Sequence, residues 1–138
     1  MSPRPLLAFL TALALLASGC GHLDTTPPAS EDRVLNGMVN YDLESVLPPD
    51  AVITVRVIDE SDSAAPMKIL GEATVEHPGP APIPFKLEYR ATDQQLMHQV
   101  NVEARISFGG KLRFRSIGGH PITLGNVNDL HVVKVELL

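Results

Sequence analysis

The sequence predicts an all-β domain: an antiparallel β-sandwich, or a partly closed barrel, of about seven to eight short strands with little helix. Three observations predict it. Apolar residues recur with a period of two from Val39 to the end of the chain, the pattern of strands wetted on one face. Clusters of Pro, Gly, Asp and Ser break that period at short intervals, as turns do. Only Ala91 to His98 offers a helical turn or two.

The chain opens on a different pattern. After a single basic residue, Arg4, the stretch Leu6 to Ala17 is apolar and uncharged. At about 12 residues it falls well short of the ~20 that span a bilayer, so residues 1–19 read as a cleaved signal peptide. The small residues Ala17, Ser18 and Gly19 lead to Cys20, the one cysteine in the chain. A lone exposed thiol is a liability in an oxidising compartment, and acylation would consume it. The run A-S-G-C resembles the bacterial lipobox, in which cleavage falls between Gly19 and Cys20 and the cysteine sulfur takes a covalent lipid of the palmitate type. Two or more acyl chains make a stable anchor, at about 0.8 kcal/mol per buried methylene. In the sorting rule of such lipoproteins an Asp after the cysteine holds the protein at the inner membrane. Gly21 stands there, so the resemblance implies the outer membrane, periplasmic face.

Cleavage would leave Lys+Arg at 10, with Arg4 lost, against 16 Asp+Glu, a net charge of −6. A chain so acidic is not built to bind nucleic acid through its overall field. Residues 20–32 form the lipidated N-terminus and a polar, proline-bearing tether, able to reach about 40 Å when extended. The β domain is expected over 33–138, enough for one core and too short for two.

Within it the strands follow in order. Val39, Tyr41 and Leu43 alternate with polar neighbours; so do Ile53, Val55 and Val57, and Ile69, Ala73 and Val75. Phe85, Leu87 and Tyr89 come next, then Val100 to Phe108, then Leu112 and Phe114, and Val133, Val135 and Leu137 close the chain on a strand. The turns between them are L-P-P-D at 47–50, D-E-S-D-S at 59–63, H-P-G-P-A-P at 77–82, G-G at 109–110 and G-G-H-P at 118–121. Pro80, Pro82 and Pro84 cannot donate to a ladder, so the segment 78–89 is expected at a sheet edge.

A three-residue loop Gly109-Gly110-Lys111 would set Phe108 opposite Leu112 and Ile106 opposite Phe114, all on one face, with Ser107 opposite Arg113 and Arg105 opposite Arg115 on the other. Like charges facing across a ladder are mildly destabilising. Glu103 lies diagonally near and can compensate them. The alternative use of Arg105, Lys111, Arg113 and Arg115 is an anionic partner, and these four are the candidate partner-binding residues.

No catalytic residue and no metal ligand is expected. Histidines 22, 77, 98, 120 and 131 show no metal-binding spacing and do not cluster along the chain. No Gly-x-Ser-x-Gly elbow or phosphate-binding glycine loop occurs. Asp59, Glu60 and Asp62 sit with serines in a turn and read as a solvated loop.

Three stretches carry a wider resemblance: L-P-P-D-A-V-I-T-V-R-V-I-D-E-S at 47–61, P-I-P-F-K-L-E-Y at 82–89 and V-E-A-R-I-S-F-G-G-K-L-R-F at 102–114. In this order, behind the A-S-G-C run, they resemble the small bacterial lipoprotein family that includes YbaY and the type III secretion pilotin YscW. The resemblance implies a β-sandwich lipoprotein of the bacterial cell envelope without enzymatic activity or cofactor. It would act as a binding or assembly module whose partner is an envelope or secretin-type protein. The alternative is a structural or envelope-stress lipoprotein that binds lipid or glycan.

Overall fold

The computed structural model describes residues 30–42 and 46–138. The expected signal peptide, the cleavage point at Gly19 and Cys20, the lipidation site and nearly all of the tether lie outside the described residues, as does Leu43. Seven strands follow: β1 Glu31–Asn40, β2 Val52–Asp59, β3 Lys68–Glu76, β4 Ile83–Ala91, β5 Val100–Phe108, β6 Lys111–Ser116 and β7 Leu130–Leu137. One helical turn, α1 Asp93–Leu96, joins β4 to β5. β1 begins at Glu31, two residues before the expected domain start.

Burial follows the alternation visible in the sequence along most of β1, β2, β4 and β7. β4 is the clearest case, with Ile83, Phe85, Leu87, Tyr89 and Ala91 inside and the residues between them outside. Inward side chains from all seven strands, among them Leu35, Ile53, Leu87, Ile106 and Val133, make one core. The turn α1 forms because Thr92 and Gln95 cap it reciprocally. The Gln95 N–H donates to Thr92 Oγ1 at 3.0 Å, and the Thr92 N–H donates to Gln95 Oε1 at 2.9 Å.

The strand order is β3-β2-β5-β6-β7-β1-β4 in one sheet. Proline-bearing β4 stands at an edge, as Pro82 and Pro84 require. The ladders are antiparallel with one exception: β1 and β7 run parallel, with Asn36 opposite Leu130 and Asn40 opposite Lys134. The antiparallel arrangement expected from the sequence holds at every other ladder. β7 is the joint, pairing β1 through 130–134 and β6 through 135–137.

The sheet curls until its edges β3 and β4 lie side by side with no ladder between them, so the architecture is a nearly closed barrel. They press together at Gly71, where a Cβ would stand 2.4 Å from the Glu88 carbonyl oxygen and 2.6 Å from Tyr89 Cβ. A bulge between Val57 and Ile58 precedes it. That bulge moves Ile69 to the outer surface opposite Ile58, out of phase with Ala73 and Val75.

The β5–β6 hairpin corrects an expectation. Phe108 pairs Lys111 and Ser107 pairs Leu112, so the loop is the two-residue Gly109-Gly110, both with positive φ of 62° and 74°. This is the turn whose twist suits a hairpin. Arg113 is the extra residue of a bulge, and past it the register returns to Ile106 opposite Phe114 and Arg105 opposite Arg115. Phe108, Leu112, Ile106 and Phe114 therefore do not share one buried face: Phe114 and Ile106 are in the core, while Leu112 is exposed.

Candidate partner-binding face

The outward residues of β2, β5, β6 and β7 bear a row of charges. Arg56 stands between Glu72 of β3 and Glu103 of β5, and Arg115 stands between Arg105 and Glu136. Each pairing is set by ladder register, since residues directly opposite hold their Cβ atoms about 5 Å apart. Arg56 Nε reaches Glu72 Oε2 at 2.6 Å.

Glu103 is the centre of this row. It is only 7% exposed, and its Oε1 accepts from Arg105 Nε at 2.8 Å with Arg115 Nε at 3.8 Å. The like-charged pair Arg105 and Arg115 is thus held together by an acid between them. Its other oxygen, Oε2, is buried with no hydrogen-bond partner. Beside it a depression of about 250 Å³ is lined by Ile58, Met67, Arg115, Gly118 and Gly119, among others.

The four candidate cations do not converge. Arg105 is committed to Glu103 and its side chain is 35% exposed. Arg113 lies over the Phe108 ring, 5.2 Å from its centroid, and donates to the Phe108 carbonyl at 3.4 Å. Arg115, 57% exposed, and Lys111, exposed at the hairpin tip, are the two that solvent reaches freely.

The acidic turn is exposed from Glu60 to Ser63, as a solvated loop is, and short-range bonds brace it. Asp59 Oδ1 accepts from both the hydroxyl and the N–H of Ser61, and Oδ2 from Gln95. Burial works to raise the Asp59 carboxyl, but the Ser61 hydroxyl and N–H, the Gln95 amide and the Lys68 charge outweigh it and hold it below its ordinary 3.8. Glu60 accepts from Asn101 Nδ2. Among the described residues no three His, Cys, Asp or Glu side chains gather as a metal site would need.

Two of the histidines, which no metal-binding spacing links, meet in the fold. His120 Nε2 and His131 Nδ1 are 3.0 Å apart at the opposite end of β5 from the hairpin tip. Their spacing of eleven residues carries no motif. The only signal is indirect: once β6 and β7 are known to be neighbours, the loop between them must fold back.

Comparison with known proteins places this geometry. Residues 30–134 match the model of the type III secretion system lipoprotein chaperone YscW. The chain is 30% identical over 145 aligned positions to the uncharacterized lipoprotein YbaY of Escherichia coli strain K12, covering 94% of this chain and 76% of that one. The structure superposes with a TM-score of 0.69 and 26% identity on an alternative pilotin from the type II secretion system of Vibrio cholerae, covering 78% of this chain and 98% of that one. A barrel matched across nearly its whole length, by sequence and by fold together, establishes that this chain belongs to the YscW family of lipoprotein chaperones.

Proposed function

We propose that this protein is a lipid-anchored, non-enzymatic assembly helper on the periplasmic face of the bacterial outer membrane, which holds a secretin-type subunit or another envelope component while it assembles. One observation carries the reading: the family match runs over residues 30–134, from the start of β1 into β7, and the superposition takes in almost all of the solved pilotin chain. The unit the two proteins have in common is the one this reading takes as the binding domain. The lipid on Cys20 and the tether behind it would confine that domain to a surface, raising the effective concentration of partner without adding a contact.

The partner contact is assigned to the outer face of β5 and β6 around Arg115, with Lys111 at the neighbouring hairpin tip and an acidic partner surface opposite. The seam closed at Gly71 supports a face over an edge, because β3 and β4 cover one another where a partner strand would have to add. Charge placed at the rim of an interface governs encounter and salt dependence.

Two measurements test this. Cys20→Ser should move the protein into the soluble periplasmic fraction with its melting temperature unchanged. Crosslinking in intact cells should recover a partner with the wild type and much less of it with Lys111→Ala/Arg115→Ala, two exposed side chains whose truncation changes stability little. Undiminished capture by that variant would remove this assignment.

A further inference from the structure

The connection between β6 and β7, residues 117–129, folds across the end of the barrel, and a pair of imidazoles fastens it there. The main-chain carbonyl of Asn126 can only accept, so His131 Nε2 carries a hydrogen and donates to it at 2.9 Å. A neutral His131 then offers a bare Nδ1 to its neighbour. His120 must supply the hydrogen, donating from Nε2 across 3.0 Å, with the rings edge to face and their centroids 5.2 Å apart.

Other bonds in the segment depend on this seat. The His120 carbonyl accepts from the Val102 N–H at 2.9 Å, and the Ile122 N–H donates to Val100 at 2.9 Å. Asn126 accepts from the Thr123 N–H and donates to the Pro121 carbonyl. Beneath them Ile122 is fully buried and Val127 packs on the core.

Protonation acts on this arrangement in two steps. One proton can be accommodated if His131 donates from Nδ1 and His120 turns to its other tautomer. A second sets two N–H groups and two positive charges face to face at 3.0 Å. We propose that the His120–His131 pair is an acid-sensitive latch: double protonation separates the rings and frees the β6–β7 connection from the barrel end, while the sheet stays folded.

Burial, and then the His131 charge, hold the His120 imidazole below its ordinary 6.5. The sign follows. A histidine depressed in the closed state contributes its stabilisation in full above 6.5 and loses it as pH falls through the lowered value. The charged groups on the surrounding elements are engaged elsewhere or free of the pair. Glu103 of β5 is bound by Arg105 and Arg115, Arg33 of β1 by Glu31 and Asp93, and Asp129 in the connection forms no ion pair with either ring among the described residues.

Amide exchange followed by NMR on the wild-type protein between pH 7.5 and 5 tests the latch. The expected result is loss of protection at the Val102 and Ile122 amides, about tenfold for each unit that latch protonation differs between closed and open forms. Amides at the centre of the β2–β5 ladder should keep theirs. His120→Phe should make the Val102 and Ile122 protection independent of pH; if that variant does not fold, the wild-type profile decides alone. Protection kept at both sites through pH 5, a fall shared equally by every strand, or a folded His120→Phe with the wild-type profile would each overturn the proposal. So would a neutral His131 found with its hydrogen on Nδ1 at pH 7.5.

Discussion

Glu103 places a carboxylate on the outer surface of a strand and then buries it between two guanidinium groups, and the energetic consequence can be measured. Arg105 and Arg115 face each other directly across the β5–β6 ladder, an arrangement that repels in the absence of an acid. With Glu103 present, one oxygen serves both cations while the other has no partner. The two arginines keep 35% and 57% exposure, so water screens much of the interaction. Glu103→Ala should therefore cost about 1–2 kcal/mol in urea unfolding, below the 3–5 typical of a deeply buried pair. Arg115→Ala alone should cost under about 0.5 kcal/mol. The double variant should be more stable than Glu103→Ala alone, because removing one arginine relieves the repulsion. Raising the salt to about 0.5 M should shrink the difference. An additive double variant would mean that Glu103 and Arg115 act independently.

Single elements show where pattern reading succeeds and where it stops. The alternation Phe85, Leu87, Tyr89 places every side chain of β4 on its correct face, because inside and outside follow parity alone. Parity fails wherever one residue is inserted. The bulge at Val57 and Ile58 turns Ile69 outward, and the bulge at Arg113 lets a two-residue turn coexist with Ile106 opposite Phe114. Neither insertion leaves a mark in composition. The Gly109-Gly110 pair is legible as a turn, but the bulge that makes its shorter form compatible with the core is not. Gly71 is equally silent in the sequence, and its role is steric. It is the point where β3 presses on the β4 backbone, with room for a hydrogen and none for a methyl group. Gly71→Val should force the seam apart and destabilise the barrel by about 2–3 kcal/mol. Gly79→Ala, where a Cβ meets nothing within 4 Å, should change stability by less than about 0.5 kcal/mol. Equal effects at the two glycines would show that the seam carries no packing energy.

On the scale of the whole molecule, the fold depends on joining its first strand to its last. The strand content and the single core are legible because each follows from local period and turn chemistry. Which strand neighbours which is not, since parity assigns a face and says nothing of a partner; Val39 reads the same whether Val133 runs parallel or antiparallel beside it. The same limit hides the His120–His131 contact, which exists only because the β6–β7 connection returns over the barrel end. The charged face is partly legible: Arg105 and Arg115 face each other as expected, but Glu103 lies beside Met67, Gly118 and Gly119, residues far from it in the chain. β7 joins the two parts of the sheet by bonding β6 with one half of its length and β1 with the other. A chain ending at Asp129 would lose both ladders and the inward side chains His131, Val133 and Val135 at once. It should show no cooperative unfolding transition and no dispersed NMR spectrum. Removing Leu138 alone, an exposed residue with one main-chain bond to Arg113, should cost less than about 1 kcal/mol. Because the closing contacts lie nearly a full domain apart in sequence, as Asn36 and Leu130 do, refolding should take milliseconds to seconds, as in other barrels dominated by distant pairings. Microsecond refolding, or a folded chain without β7, would show that the β1–β7 joint is dispensable.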